Sequence, residues 1–161
     1  MANCSINSLK YTLDPRFLYS PPQSTQFVIR EEIPAQLYAS ARPAYDFGRN
    51  QPVARAEIER WIESAKEAGI RSILCLLNAQ HLRLYDSVHG GLLDAYANAG
   101  FAVAHLPVQD HLSPPLTLEE LQLAAEHFES LPKPVLIHCS AGVDRTGAAV
   151  KHLKQIHRPD A

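Results

Sequence analysis

A chain of 161 residues with 46% apolar side chains can fill one buried core of ordinary size, and is too short for a second independent domain. Its 15 basic and 17 acidic residues nearly cancel, to a net charge of -2, so no global field marks nucleic acid or an anionic membrane as the main partner, and any anion has to be caught by a local site. No apolar run reaches the length of a membrane span, Met1 to Lys10 lacks the basic-then-apolar order of a secretory leader, and three cysteines, Cys4, Cys75 and Cys139, suit neither a disulfide framework nor a four-ligand zinc site. The expectation is a soluble cytoplasmic protein, where a free thiol stays reduced.

Residues 1–25, rich in Ser, Pro, Asn and Gln, read as a flexible arm ahead of a single domain over 26–161. Gln26 to Arg30 is the first expected strand and Gln36 to Ser40 the second, followed by a loop from Arg42 to Pro52 that carries Pro43, Gly48 and Pro52. From Ala54 to Ala68 the apolar residues Ile58, Trp61, Ile62 and Ala65 recur at helical spacing, and Gly69 stands where a helix ends. Arg71 to Leu77 is a continuous apolar run, as a strand covered on both faces requires. A helix over Gly91 to Ala99 then feeds a further buried strand over Phe101 to Leu106, which Pro107 stops.

The loop Val108 to Pro115 leads to Thr117, with Glu120 three residues on, a capping box that opens a helix to about Leu131. Val135 to His138 is a short apolar strand, and Gly142 to Gly147 runs into a last helix ending near His157. Strands alternating with helices imply a three-layer α/β/α fold on a mostly parallel sheet of about five strands.

The ten residues from His138 to Gly147 read H-C-S-A-G-V-D-R-T-G and lie between that last strand and helix. In such a turn the backbone N–H groups of Ser140, Ala141, Gly142, Val143, Asp144 and Arg145 point inward, and the helix end adds its positive dipole. A dianion is cradled there, and the same field favours the thiolate of Cys139, the form that attacks. Arg145, six residues after the cysteine, offers parallel N–H donors to a phosphoryl group, Thr146 offers a hydroxyl to the sulfur, and Gly142 allows a backbone shape that a side chain would block.

This stretch resembles the H-C-x5-R-[S/T] signature of the cysteine-dependent protein tyrosine and dual-specificity phosphatases, and the likeness extends over most of residues 36–157. It includes a central strand ending in Leu-Leu-Asn78 and the stretch Leu-Pro-Val-Gln-Asp110-His111. The resemblance implies a dual-specificity-phosphatase-like fold and hydrolysis of phosphomonoesters through a cysteinyl-phosphate, with no metal and no organic cofactor. Cys139 is then the nucleophile, Arg145 the phosphoryl clamp, Asp110 the general acid and later base, and residues 140–145 the substrate loop, with His138, Thr146 and Asn78 in support. It also makes Cys75 a candidate redox partner for Cys139.

A cysteine followed by an arginine at this spacing is weak by itself, but chance has also to supply His138, Gly142, Thr146 and the strand-to-helix context. Cys75 reads equally as a small core residue and Asp110 competes with Asp86 and Asp94, whereas His81, His89, His105, His111, His127, His152 and His157 lack ligand spacing and read as surface or core. Relatives that act on lipids carry an aspartate before the signature arginine, as Asp144 does here, and usually a lysine before that, where this chain has Val143.

A phosphorylated protein or peptide is the leading substrate, with a phosphoinositide or small-molecule phosphatase as the alternative and a non-catalytic phosphate-binding adaptor as the second. Further helices usually follow in the family, so the chain reads as truncated, as minimal, or as a homodimer through a thinly covered face. Neither nucleic acid nor an integral membrane is expected as a partner.

Overall fold

A computed structural model describes residues 28–46 and 50–157. Five short strands form one sheet, β1 (Arg30–Ile33), β2 (Leu37–Ser40), β3 (Ser72–Cys75), β4 (Ala102–His105) and β5 (Val135–His138), in the order β1-β2-β5-β3-β4. β1 is antiparallel to β2, and every other pairing is parallel. Between them run α1 (Arg55–Glu67), the one-turn α2 (Ala79–Leu82), α3 (Gly91–Asn98), α4 (Leu118–Ser130) and α5 (Asp144–His157).

The period of two along each strand divides the core into two halves. Leu74, Leu76, Val135 and Ile137 pack with Ala124 and Phe128 of α4 and with Ala149, Val150 and Leu153 of α5. Ile73, Cys75, Leu77 and Leu136 pack on the other face, with Ile58, Trp61, Ile62 and Ala65 of α1 and Leu92 and Tyr96 of α3. Three layers result, with all four residues of β3 and all four of β5 fully buried in the middle, as continuous apolar runs demand. Truncating Phe128 to alanine would cost about 3–5 kcal/mol.

Most expected elements stand within a residue or two of their expected bounds. α1 ends as its sequence requires: Gly69, at φ +80°, donates from its N–H to the Lys66 carbonyl, and Ile70 donates to Ala65. At the start of α4 the capping box is complete, with Thr117 Oγ1 accepting from Glu120 N at 3.1 Å and Glu120 Oε1 accepting from Thr117 N at 2.8 Å.

Two expectations are corrected. The first strand begins at Arg30 rather than ending there: Val28 and Ile29 are not in a strand, and the rest of that expected segment, like the N-terminal arm, lies outside the described residues. β4 is half-buried rather than enclosed because it is the edge of the sheet. Between Asn78 and Gly91, where the sequence predicts no element, stand α2 and a 3₁₀ turn over Arg83–Tyr85, both too short for apolar periodicity to reveal.

Candidate active site

β5 delivers the chemistry. Its last residue, His138, has no exposure, and both ring nitrogens are engaged, Nδ1 with the Cys139 carbonyl at 3.0 Å and Nε2 with the Tyr96 hydroxyl at 2.9 Å. A carbonyl can only accept, so Nδ1–H donates to it and Nε2 accepts from Tyr96. Burial holds this imidazole neutral, pushing its pKa down to about 4, with the bond to Cys139 opposing and the charges of Arg42 and Arg145 assisting. His138 is a neutral strut between α3 and the loop.

Beyond it the chain turns through 139–143 into α5. Among the described residues the amides of Ser140, Ala141, Gly142 and Val143 donate to no protein acceptor, so they remain available to an anion. Gly142 stands at φ +73°, and a Cβ there would lie 2.3 Å from the Ser40 carbonyl oxygen and 2.8 Å from Ala41 N. The loop therefore passes against the end of β2 at a distance only glycine permits. Arg30, across the sheet edge, donates from Nη2 to the Gly142 carbonyl at 2.7 Å, holding that oxygen away from the cradle.

Cys139 is 2% exposed and carries a free thiol. It lines a cavity of about 600 Å³ with Ser140, Ala141, Val143, Asp144, Arg145 and Asp110. Arg145, from the first turn of α5, is as buried as Cys139; its Nη1 donates to the Val108 carbonyl at 3.0 Å and its Nη2 lies 3.3 Å from Asp110 Oδ2. Its Nε is buried with no hydrogen-bond partner, a donor left over for a ligand. Asp110 also accepts from His111 N at 2.9 Å, across a turn that puts His111 at φ +60°. Of the three competing aspartates only Asp110 reaches the cavity; Asp94 sits in the first turn of α3.

The structure brings seven of the expected site residues onto one cavity and separates others. Thr146 is fully buried, yet its hydroxyl bonds to neither the sulfur nor any other described group. Asn78 caps α2, its Oδ1 accepting from His81 N at 3.0 Å. Cys75 packs in the α1–α3 half of the core while Cys139 packs in the α4–α5 half, and the two are not bonded. Complete burial pushes the Cys75 thiol up to about 12, so it is a poor source of thiolate.

Sequence reasoning missed Arg42, a loop arginine that is 2% exposed. Its Nε donates to Ser140 Oγ at 3.0 Å and its Nη1 to the Tyr85 hydroxyl at 3.0 Å, while its backbone N donates to the Ser140 carbonyl at 2.9 Å. Tyr85 passes its own proton to the Pro43 carbonyl at 2.7 Å. A guanidinium thus fixes the back of the loop from the end of β2. Only the pairing of β2 with β5 reveals it, since the two residues are 98 apart in sequence. His81, one of the histidines expected at the surface or in the core, is buried and also lines the cavity.

A thiol and a guanidinium thus face one cavity, above a loop of open amides between a parallel strand and a helix, in a fold of the dual-specificity phosphatase type. The chain belongs to the family Tc-R-P, described as "Polymorphic toxin system, DSP-PTPase phosphatase", which matches residues 47–154, about two thirds of its length. It is a phosphatase domain. No curated protein matches the chain by sequence.

Solved structures share its fold. A kinase-associated phosphatase whose catalytic cysteine is replaced by serine is 23% identical at TM-score 0.55, the match covering 77% of this chain and 69% of that one. Tk-PTP in its active form is 20% identical at TM-score 0.51, covering 83% and 86%. A DUF442 protein from Shewanella putrefaciens CN-32 is 20% identical at TM-score 0.54, covering 86% and 80%.

Proposed function

We propose that this phosphatase hydrolyses phosphomonoesters through a cysteinyl-phosphate, with Cys139 as nucleophile, Arg145 as clamp and Asp110 as general acid and base. The observation that carries this reading is the convergence of unused donors, the loop amides and Arg145 Nε, on the cavity that holds the Cys139 thiol. The phosphoryl oxygens take those donors, which hold the developing equatorial charge more tightly than the ground state. The thiolate attacks phosphorus, the P–O bond to the leaving group breaks, and Asp110 gives that oxygen its proton. Asp110, now a carboxylate, takes a proton from water as it attacks the cysteinyl-phosphate, and phosphate leaves with the thiolate restored.

A phosphorylated protein is the favoured substrate class, phosphotyrosine first and phosphoserine or phosphothreonine after it. Tyr45 in the cavity wall supports an aromatic phosphate. Asp46, Asp110 and Asp144 around the same cavity disfavour a polyphosphorylated lipid headgroup, because its extra charges would meet carboxylates. Among the described residues no helix is long and apolar enough to cross a membrane. A working thiolate needs a reducing compartment, so the cytoplasm is where we expect the enzyme to act.

The test is hydrolysis of an aryl phosphate across pH, with reductant and chelator present, by the intact chain, Cys139→Ser and Asp110→Ala. Activity that survives chelator, vanishes in Cys139→Ser and loses its alkaline limb in Asp110→Ala is the expected result. Phosphate binding without turnover by the intact chain would sink the enzymatic reading and leave an adaptor. Sedimentation of the same sample tests whether the chain pairs as a homodimer.

A further inference from the structure

The cavity wall holds one buried side chain that the phosphatase reading leaves unused. His81, on α2, is 8% exposed and lines the cavity together with Asp110, Cys139 and Arg145. Its position is built rather than incidental: Asn78 Oδ1 accepts from His81 N at 3.0 Å, and Leu82 N donates to the Asn78 carbonyl at 3.1 Å, fixing the single turn that carries it. Yet Nδ1 of the ring is buried with no hydrogen-bond partner. Buried polar atoms are nearly always satisfied, and an orphaned N–H is rarer than an orphaned lone pair, so the tautomer that fits keeps the proton on Nε2. Nε2 is then the nitrogen available to an occupant of the cavity. Burial above all, then the charges of Arg145 and Arg42, with His111 adding and Asp110 opposing, keep the imidazole neutral.

We infer that His81 is a substrate-contacting residue, its Nε2–H donating to an oxygen of the phosphoryl group seated on the loop. The inference rests on the phosphatase reading above and adds to it a donor from α2, a third direction after the loop amides and Arg145. A neutral donor to a dianion strengthens binding without adding a charge that would hold product phosphate in place. The unpartnered Nδ1 is a cost that a leucine packed at this position would not carry, and a contact from Nε2 to an occupant offsets it.

The experiment is calorimetric titration of the intact chain with inorganic phosphate, alongside aryl phosphate kinetics and thermal melts, for wild type and for His81→Leu, His81→Gln and His81→Asn. Glutamine sets its amide nitrogen where Nε2 lies in histidine, and asparagine where Nδ1 lies. His81→Leu is expected to weaken phosphate binding and kcat/KM about tenfold or more while the Tm holds or rises, because the unsatisfied nitrogen is gone. His81→Gln should recover most of that loss and His81→Asn should not.

Wild-type phosphate affinity in His81→Leu, or glutamine no better than asparagine, overturns the inference. If His81→Leu does not fold, the contrast between glutamine and asparagine decides. Should wild type bind phosphate but not turn over, the phosphatase reading fails by itself, and the phosphate affinities still judge His81.

Discussion

Lowering the pH strains this protein at His138. The ring is fully buried, and its pKa falls from an ordinary 6.5 to about 4 because burial penalises the charged form more than the bond to the Cys139 carbonyl favours it. In the unfolded chain the same imidazole titrates near 6.5, so between about pH 6.5 and pH 4 the unfolded state binds more protons than the folded one, and stability rises with pH across that window. The contribution is complete above the unfolded value and is lost on acidification, by about 2 kcal/mol at pH 5 and about 3 kcal/mol at pH 4. Trp61 is the only tryptophan and lies 5.5 Å from the His138 ring and 5.1 Å from Tyr96, so its fluorescence reports on this part of the core. Urea unfolding followed by that signal, at pH 8 and pH 5, should show wild type losing about 2 kcal/mol more than His138→Gln, which cannot titrate. Equal losses in the two proteins would refute the neutral, buried reading of His138.

Gly142→Ala should lower kcat/KM at least a hundredfold while the far-ultraviolet spectrum stays native, since its Cβ would sit 2.3 Å from the Ser40 carbonyl and the loop must move to admit it. Arg42→Ala removes the fork that holds Ser140 and Tyr85, and should destabilise by about 3 kcal/mol in urea and reduce kcat more than it raises KM, because the loop rather than the binding cavity is released. Thr117→Ala breaks the capping box of α4, about 1 kcal/mol in the same unfolding assay, with turnover unchanged. Cys75→Ser should recover from peroxide treatment on adding thiol to the same extent as wild type, because Cys75 and Cys139 pack in different halves of the core; mass spectrometry showing a Cys75–Cys139 bridge in wild type would contradict that expectation.

What the sequence made legible was local. Val135 to Gly147 carries its signal in consecutive residues: an apolar run, a glycine at the turn, and a cysteine and arginine that the helix start brings to one cavity. Asp110 was legible because it follows a strand, although choosing it over Asp86 and Asp94 needed the resemblance rather than any periodicity. Arg42 and His81 were not legible, for different reasons. Arg42 reads as an ordinary charge in a turn-rich loop, and only the register of β2 on β5, Ser40 beside His138, carries it behind Ser140. His81 belongs to a single turn whose only local mark is its Asn78 cap.

The same register explains why so much of the site gathers at one end of the sheet. β2, β3, β4 and β5 run parallel, so their C-terminal ends open on one crevice, where ligands bind in open parallel sheets. Arg42 leaves the end of β2, Asn78 and His81 follow β3, Val108 and Asp110 follow β4, and the cradle follows β5. The alternation along β5 then divides the support between layers. His138 is braced by Tyr96 beneath α1 and α3, while Cys139, one residue on, is packed from α4 and α5. A substitution in either helical layer is therefore felt at Cys139 through a different neighbour, by the His138–Cys139 carbonyl bond from one side and by side-chain packing from the other. Tyr96→Phe, which removes the hydroxyl at 2.9 Å but keeps the ring, isolates the first of these routes.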